Sequence, residues 1–207
     1  MSYSFPLNMK YEPLPRQIEN INIVEDGEIR GILRWQNKRH HDERGSFGEL
    51  IRFRDLTPYL PKPFPVAQMN ITHNTRTGTL RGIHVSAWEK IIFLPQGEAN
   101  LVFVDLRVGS PTYGRVSINH VFARLNTGFY IPAGIGNAYL TLSDDTEYLY
   151  LTSILWNPEY EIAIKWDDPS LNINWGIWPK IISRRDREAK PLKELIPDFD
   201  KLVAEAK

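Results

Sequence analysis

The segment LRGIHVSAWEK, Leu80 to Lys90, sets an arginine, a histidine and a lysine close together in a chain that holds five histidines in all. Gathered around one turn, Arg81, His84 and Lys90 would create a local positive potential. That potential suits an anionic ligand, or an oxygen that becomes negative during reaction. It serves catalysis only where a base also reaches a proton, and imidazole has the unperturbed pKa nearest neutrality, so His84 is the natural base. The residue types equally fit a histidine that merely hydrogen-bonds inside a sheet, as most buried polar groups do.

A metal site is not expected. Small β-barrels that hold divalent ions commonly use two histidines on alternate strand residues, a nearby carboxylate and a third histidine. Here the residue two beyond His84 is Ser86, and no later segment supplies a clear second ligand. His40 and His41 are adjacent and would point to opposite faces of a strand. His73 and His120 stand alone and read as surface or turn residues. The absence of cysteine removes disulfides, zinc–thiolate sites and thiolate nucleophiles. Any chemistry here rests on oxygen and nitrogen groups.

Lysine plus arginine and aspartate plus glutamate each number 25 in 207 residues, so no global field draws the chain to nucleic acid or to a membrane. The opening MSYSFPLNMKYEPLPRQIEN is polar and broken by proline, unlike a secretory signal. The longest apolar runs, such as IIFLP and LVFV, are strand-sized, so no transmembrane helix is expected. A cytoplasmic protein is the expectation.

The elements that must position these residues are strands. Aromatic and β-branched residues recur in GILRWQ, GELIRF, AQMNIT, EKIIFLPQG, NLVFVDLR, GRVSINHVFA, GFYIPAG, NAYLTLSD, EYLYLTSILW and EIAIKW, divided by Gly, Pro, Asn and Asp. Several alternate polar and apolar residues, at a spacing of roughly ten residues, which reads as an antiparallel sandwich or barrel. From Ser183 to Lys207 the chain is charged, with Leu192, Leu195, Phe199 and Leu202 at helical spacing and Pro191 and Pro197 interrupting, so one or two short outer helices are expected. The length suggests a single domain over 1–207: an arm to about residue 30, a β-domain over 31–180 and a helical end over 181–207. In HHDERGSFGE, Asp42, Arg44 and Gly45 mark a turn before a strand. VDLRVGSPTYG ends a strand in Asp105 and Arg107, and turn formation accounts for Gly109, Pro111, Gly114 and Gly134.

In order, DERGSFGE (42–49), QMN (68–70), LRGIH (80–84), Lys90, VDLRVGSPTYG (104–114), IPAGIGNAYLTLSD (131–144), YLYLTS (148–153), NPEYE, WDDPSLNINW (166–175) and ISRRD (182–186) resemble the dTDP-4-dehydrorhamnose 3,5-epimerase family. The likeness covers about residues 35–195. It implies an all-β, cupin-type jelly roll with short C-terminal helices. It also implies a homodimer with N-terminal strand exchange, and no metal or organic cofactor. The implied substrate is a nucleotide-diphosphate-linked 4-keto-6-deoxy sugar, epimerised at C3 and C5 through an enolate.

By motif, the resemblance makes His84 the base, Asp186 its carboxylate partner and Tyr150 the acid on the opposite face. Tyr148 shares that strand face, so the register decides between the two tyrosines. Arg81 and Lys90 fall at the 4-keto oxygen, Gln68 and Asn70 at the sugar or diphosphate, and Glu49, Phe47 and Arg44 toward the nucleotide end. Three positions depart from the family pattern: Asn137 stands where histidine is common, Leu101 replaces an acidic residue, and Trp156 stands where tyrosine is common. Indole donates a hydrogen bond but cannot return a proton. These changes keep open inversion at C3 alone, a keto-isomerase, or a non-catalytic sugar-nucleotide-binding cupin. The compact VSAWEK loop before Lys90 also bears on which nucleotide or sugar fits.

Overall fold

The computed structural model describes residues 6–16 and 22–206. Its strands and helices follow the chain as β1 (Ile23–Glu25), β2 (Leu33–Gln36), β3 (Arg39–Asp42), β4 (Gly45–Gly48), α1 (Phe53–Leu56), β5 (Gln68–Asn74) and β6 (Thr79–Ser86). Next come β7 (Lys90–Gln96), β8 (Glu98–Asp105), β9 (Val116–Phe122), β10 (Thr127–Ile131), β11 (Ile135–Thr141), β12 (Thr146–Thr152) and β13 (Glu161–Ala163). The chain closes with β14 (Ile181–Ile182), α2 (Arg184–Arg187), α3 (Leu192–Leu195) and α4 (Phe199–Glu205). One sheet runs β1-β2-β10-β7-β12-β5 and the facing sheet β13-β6-β11-β8-β9, with β14 beside β6. Non-sequential neighbours joined almost wholly antiparallel are the jelly-roll pattern.

Side-chain alternation explains why two sheets stack with a further layer on each outer face. On β8, Leu101 and Phe103 point inward to meet Ile92, Phe129, Tyr139 and Tyr148 between the sheets. Val102 and Val104 of the same strand point outward with Leu140 and Val85, and are covered by Leu192, Ile196 and Phe199 of the C-terminal helices. Each of those three covering side chains contributes about 1.5–3 kcal/mol of apolar burial. The other sheet turns Trp35, Phe93 and Leu151 outward beneath Leu56, Tyr59 and Phe64. Strand β8 is buried along nearly its whole length, which accounts for the continuous apolar run in its sequence. Leu101, expected at a sugar-contacting position, lies wholly inside this core.

Four expectations are corrected. GELIRF is not a strand. Trp35 Nε1 donates to the Leu50 carbonyl at 2.9 Å, and Asn37 and Asn126 amides donate to Glu49 O, each at 2.9 Å, so side chains satisfy this backbone and no sheet partner is needed. The C-terminal segment forms three short helices, because Pro191 caps α3 and Pro197 separates it from α4. His73 and His120 lie on strands, β5 and β9, with exposed side chains. Arg81, His84 and Lys90 do not share one turn: the first two sit on β6 and Lys90 opens β7, in the opposite sheet. Of the expected arm, Ile23–Glu25 pairs with β2 of its own chain, while residues 1–5 and 17–21 lie outside the described residues.

The turn in VDLRVGSPTYG is structural. The buried Asp105 carboxylate accepts from Arg107 Nε and Nη2, Ser110 Oγ and Thr112 Oγ1 at 2.6–2.9 Å. Burial raises its pKa, but these donors and the Arg107 charge outweigh burial and hold it below the ordinary value.

Candidate active site

A cleft of about 270 Å³ opens between the ends of the two sheets. One wall carries Arg81 and His84 of β6, Asn137 and Tyr139 of β11 and Glu161 of β13; the other carries Asn70 and Thr72 of β5, Lys90 of β7 and Tyr148 and Tyr150 of β12. Residues three apart on a regular strand face opposite ways. Arg81 and His84 reach the same cleft because β6 bulges: His84 pairs with Asn137 and Arg81 with Tyr139, so three steps on β6 answer two on β11. Gly82 makes this possible. Its φ is +104°, and a Cβ there would stand 2.6 Å from the Asn137 carbonyl.

His84 meets Asp186 across 102 positions of sequence. The imidazole Nε2 lies 2.6 Å from Asp186 Oδ1, and the second carboxylate oxygen accepts from the Gly82 amide at 3.2 Å. Helix α2 presents Asp186 in its first turn, with the Asp186 amide donating to Ser183 Oγ at 3.1 Å. An ionised carboxylate only accepts, so Nε2 carries the hydrogen and Nδ1 keeps the lone pair that takes a proton. Burial raises the Asp186 pKa, yet the hydrogen bond and charge of His84, followed by Gly82 and Ser183, hold it below the ordinary carboxylate value.

Across the cleft the register separates the two tyrosines. Tyr148 is buried and its hydroxyl donates to Asn137 Oδ1 at 2.9 Å; its ring stacks on Tyr139 with centroids 4.3 Å apart. Tyr150 is half-buried, and its hydroxyl has no hydrogen-bond partner among the described residues. Burial raises its pKa, Glu161 and Tyr139 add to the rise, and Arg81 opposes it. A phenol so placed stays protonated at neutral pH and holds a proton ready to give.

Lys90 is buried, with Nζ 3.9 Å from Glu161 Oε2 and 5.8 Å from the Trp88 ring centroid. Burial lowers its pKa, Glu161 opposes that shift and Arg185 reinforces it. Glu161 also pairs with Arg185 at 2.9 Å and accepts from Ser86 Oγ at 3.1 Å. Burial raises the Glu161 pKa, but Lys90, His84 and Arg185 together hold it below the ordinary value. Gln68 links the rim: its Nε2 donates to Asn70 Oδ1 at 2.7 Å and its Oε1 accepts from the Trp156 amide at 2.9 Å.

Of the residues singled out in sequence, His84, Asp186, Tyr150, Arg81, Lys90, Asn70, Asn137 and Trp156 converge here, with Gln68 at the edge. Arg44, Phe47 and Glu49 do not line this cleft within the chain. Arg44 pairs with Asp42 at 2.6 Å, Phe47 is 74% exposed on the β3–β4 hairpin, and Glu49 pairs with Arg52 at 2.9 Å beside a separate polar cleft. Sequence reasoning missed Glu161 and Arg185. Their segments, NPEYE and ISRRD, carried the resemblance, but the roles emerge only when β13 and α2 dock on β6. Among the described residues no three histidine or acidic side chains gather as a metal ion would need. Nor is any described helix long and apolar enough to cross a membrane.

A jelly roll with a carboxylate-held imidazole on one wall and a protonated tyrosine on the other is a cupin arranged for proton transfer in its mouth. The family model described as dTDP-4-dehydrorhamnose 3,5-epimerase matches residues 26–194, and the chain belongs to that family, a group of isomerases. A dTDP-4-dehydro-6-deoxyglucose 3-epimerase from a Streptomyces species is 37% identical over 176 residues, spanning 79% of this chain and 86% of its own. The dTDP-4-dehydrorhamnose 3,5-epimerase of Pseudomonas aeruginosa is 34% identical over 166 residues, spanning 78% and 91%. Among solved structures, ChmJ, a 3'-monoepimerase from Streptomyces bikiniensis in complex with dTDP-quinovose, superposes with a TM-score of 0.77 at 32% identity, covering 88% of this chain and 94% of that one.

Proposed function

We propose that the protein epimerises a nucleoside-diphosphate-linked 4-keto-6-deoxy sugar, dTDP-linked as in its relatives. One observation carries this reading: the His84–Asp186 pair and the Tyr150 hydroxyl occupy opposite walls of one cleft, with Arg81 and Lys90 beside them. The 4-keto group acidifies the hydrogens at C3 and C5. His84 Nδ1 removes one of them, the C–H electron pair moves into the ring, and O4 takes up the negative charge. Arg81 and Lys90 stabilise that charge more than they stabilise the ketone, which lowers the barrier. Tyr150 then gives its proton to the other face of the same carbon, the C=O bond re-forms, and exchange with solvent restores both groups. Arg185, Gln68 and Asn70 are assigned to the diphosphate and sugar.

The nucleotide end is assigned to a second copy of the chain. The β5 strand closes one edge of its sheet and presents Met69 at 66% and Ile71 at 56% exposure on the side away from the cleft, next to Val66 at 51%. These residues support a homodimer, in which the hairpin bearing Arg44, Phe47 and Glu49 reaches the partner's cleft. The Phe47 ring would stack on the base.

Inversion at C3 alone has specific support. Asn137 is neutral and engaged by Tyr148, and Trp156 at the rim cannot return a proton. Mass spectrometry after incubating dTDP-4-keto-6-deoxyglucose with the protein in D₂O separates the readings. Two solvent deuterons indicate both centres and one indicates C3 alone. No incorporation from that sugar or its GDP and CDP counterparts would overturn the epimerase reading.

A further inference from the structure

Of the three cations in the cleft, Lys90 and Arg185 each lie beside the carboxylate of Glu161, whereas Arg81 has no ion pair among the described residues. Arg81 is held instead by an amide. Its Nε donates to Asn74 Oδ1 at 2.9 Å, and Asn74, at the end of β5, is 3% exposed. The Asn74 Nδ2 group donates to the Thr146 carbonyl at 2.9 Å and to the Tyr139 hydroxyl at 3.2 Å. A flipped amide would turn its NH₂ toward the guanidinium and its oxygen toward a carbonyl, so one orientation is fixed. Tyr139 is in turn anchored by Thr72 at 2.7 Å.

We propose that Asn74 is a positioning residue that aims Arg81 at the reacting oxygen without neutralising it. The proposal rests on the epimerase reading and names how that site keeps its uncompensated charge. A carboxylate in the same place would orient the guanidinium equally well, and would cancel much of the field that stabilises an enolate. An amide oxygen supplies the orientation alone. Binding the guanidinium through Nε leaves both Nη groups, which donate to nothing else among the described residues, for the substrate.

Three variants test this: Asn74→Asp, which keeps an acceptor and adds charge, Asn74→Ser, and Arg81→Lys, each checked for wild-type-like circular dichroism and melting. In solvent-deuterium exchange Asn74→Asp is expected to lose at least tenfold in kcat with KM changed less than threefold. It should cost no more than twofold further when Arg81 is already lysine. Independent losses that multiply in the double variant would overturn the proposal, as would an Asn74→Asp enzyme of full kcat. A second readout does not depend on activity. The Arg81 Nε–H resonance, identified by its loss in Arg81→Lys, should lose its protection from solvent exchange in Asn74→Ser; unchanged protection would overturn the proposal. A wild-type protein inactive on every sugar nucleotide tried would defeat the epimerase reading, while the resonance would still decide whether Asn74 holds Arg81.

Discussion

His84 and Asp186 divide one task, since the carboxylate fixes Nε2 and the reaction consumes the lone pair on Nδ1. His84→Ala is therefore expected to lower kcat by about 10²- to 10⁴-fold, while dTDP affinity read by calorimetry stays within a few fold; a fully active variant would move the base elsewhere. Lys90 gives a pH prediction. Its pKa is lowered by burial, against the pull of Glu161, so in the folded state it loses its proton below the ordinary 10.5. Between the folded value and 10.5 the unfolded chain binds the extra proton. Stability from this group therefore rises with pH across that window as the cost of its buried charge is relieved. Activity runs the other way, because the charge near O4 disappears: kcat should fall with rising pH before free lysine would titrate. Lys90→Arg should lack that alkaline limb, and an identical limb in both proteins would assign it to another group. His84 was legible as a base from residue chemistry. Its partner lies 102 positions on and came only through the family likeness, while Glu161 gains its meaning from two cations that meet after folding.

Secondary-structure elements decide which chemistry the residues can share. The period-two pattern made most of the strands legible, yet β6 was not read as one, and its decisive feature, the bulge at Gly82, breaks that very pattern. The spacing of Arg81 and His84, taken as a regular strand, would have separated them. Gly82→Ala is expected to destabilise the fold by about 1–3 kcal/mol, because its Cβ would meet the Asn137 carbonyl at 2.6 Å and Ala138 at 2.9 Å. The urea midpoint measures this, and kcat should fall with it since both cleft residues hang on the bulge. A midpoint equal to wild type would mean that the backbone relaxes there at no cost. The helices at the C-terminus were legible in kind but not in number, because prolines split one amphipathic stretch into pieces that each bury a single side: Leu192 in α3 and Phe199 in α4.

At the scale of the whole molecule, Arg44, Phe47 and Glu49 find a role only in a second copy, and a single sequence carries no sign of which copy a residue serves. Mixing two inactive proteins tests this. In heterodimers of His84→Ala with Phe47→Ala, one cleft keeps its own His84 and receives the intact Phe47 hairpin, so subunit exchange should restore about a quarter of the active sites. Failure to recover activity would return the hairpin to its own chain. The β5 strand then has a consequence of its own. Its even-numbered residues, Gln68, Asn70 and Thr72, belong to the cleft, and its odd-numbered neighbours Met69 and Ile71 to the outer edge. With only a single peptide unit between them, loss of the neighbouring copy is felt directly by the substrate's contacts. Turnover per subunit would then fall on dilution toward the monomer, making enzyme concentration itself a control on rate.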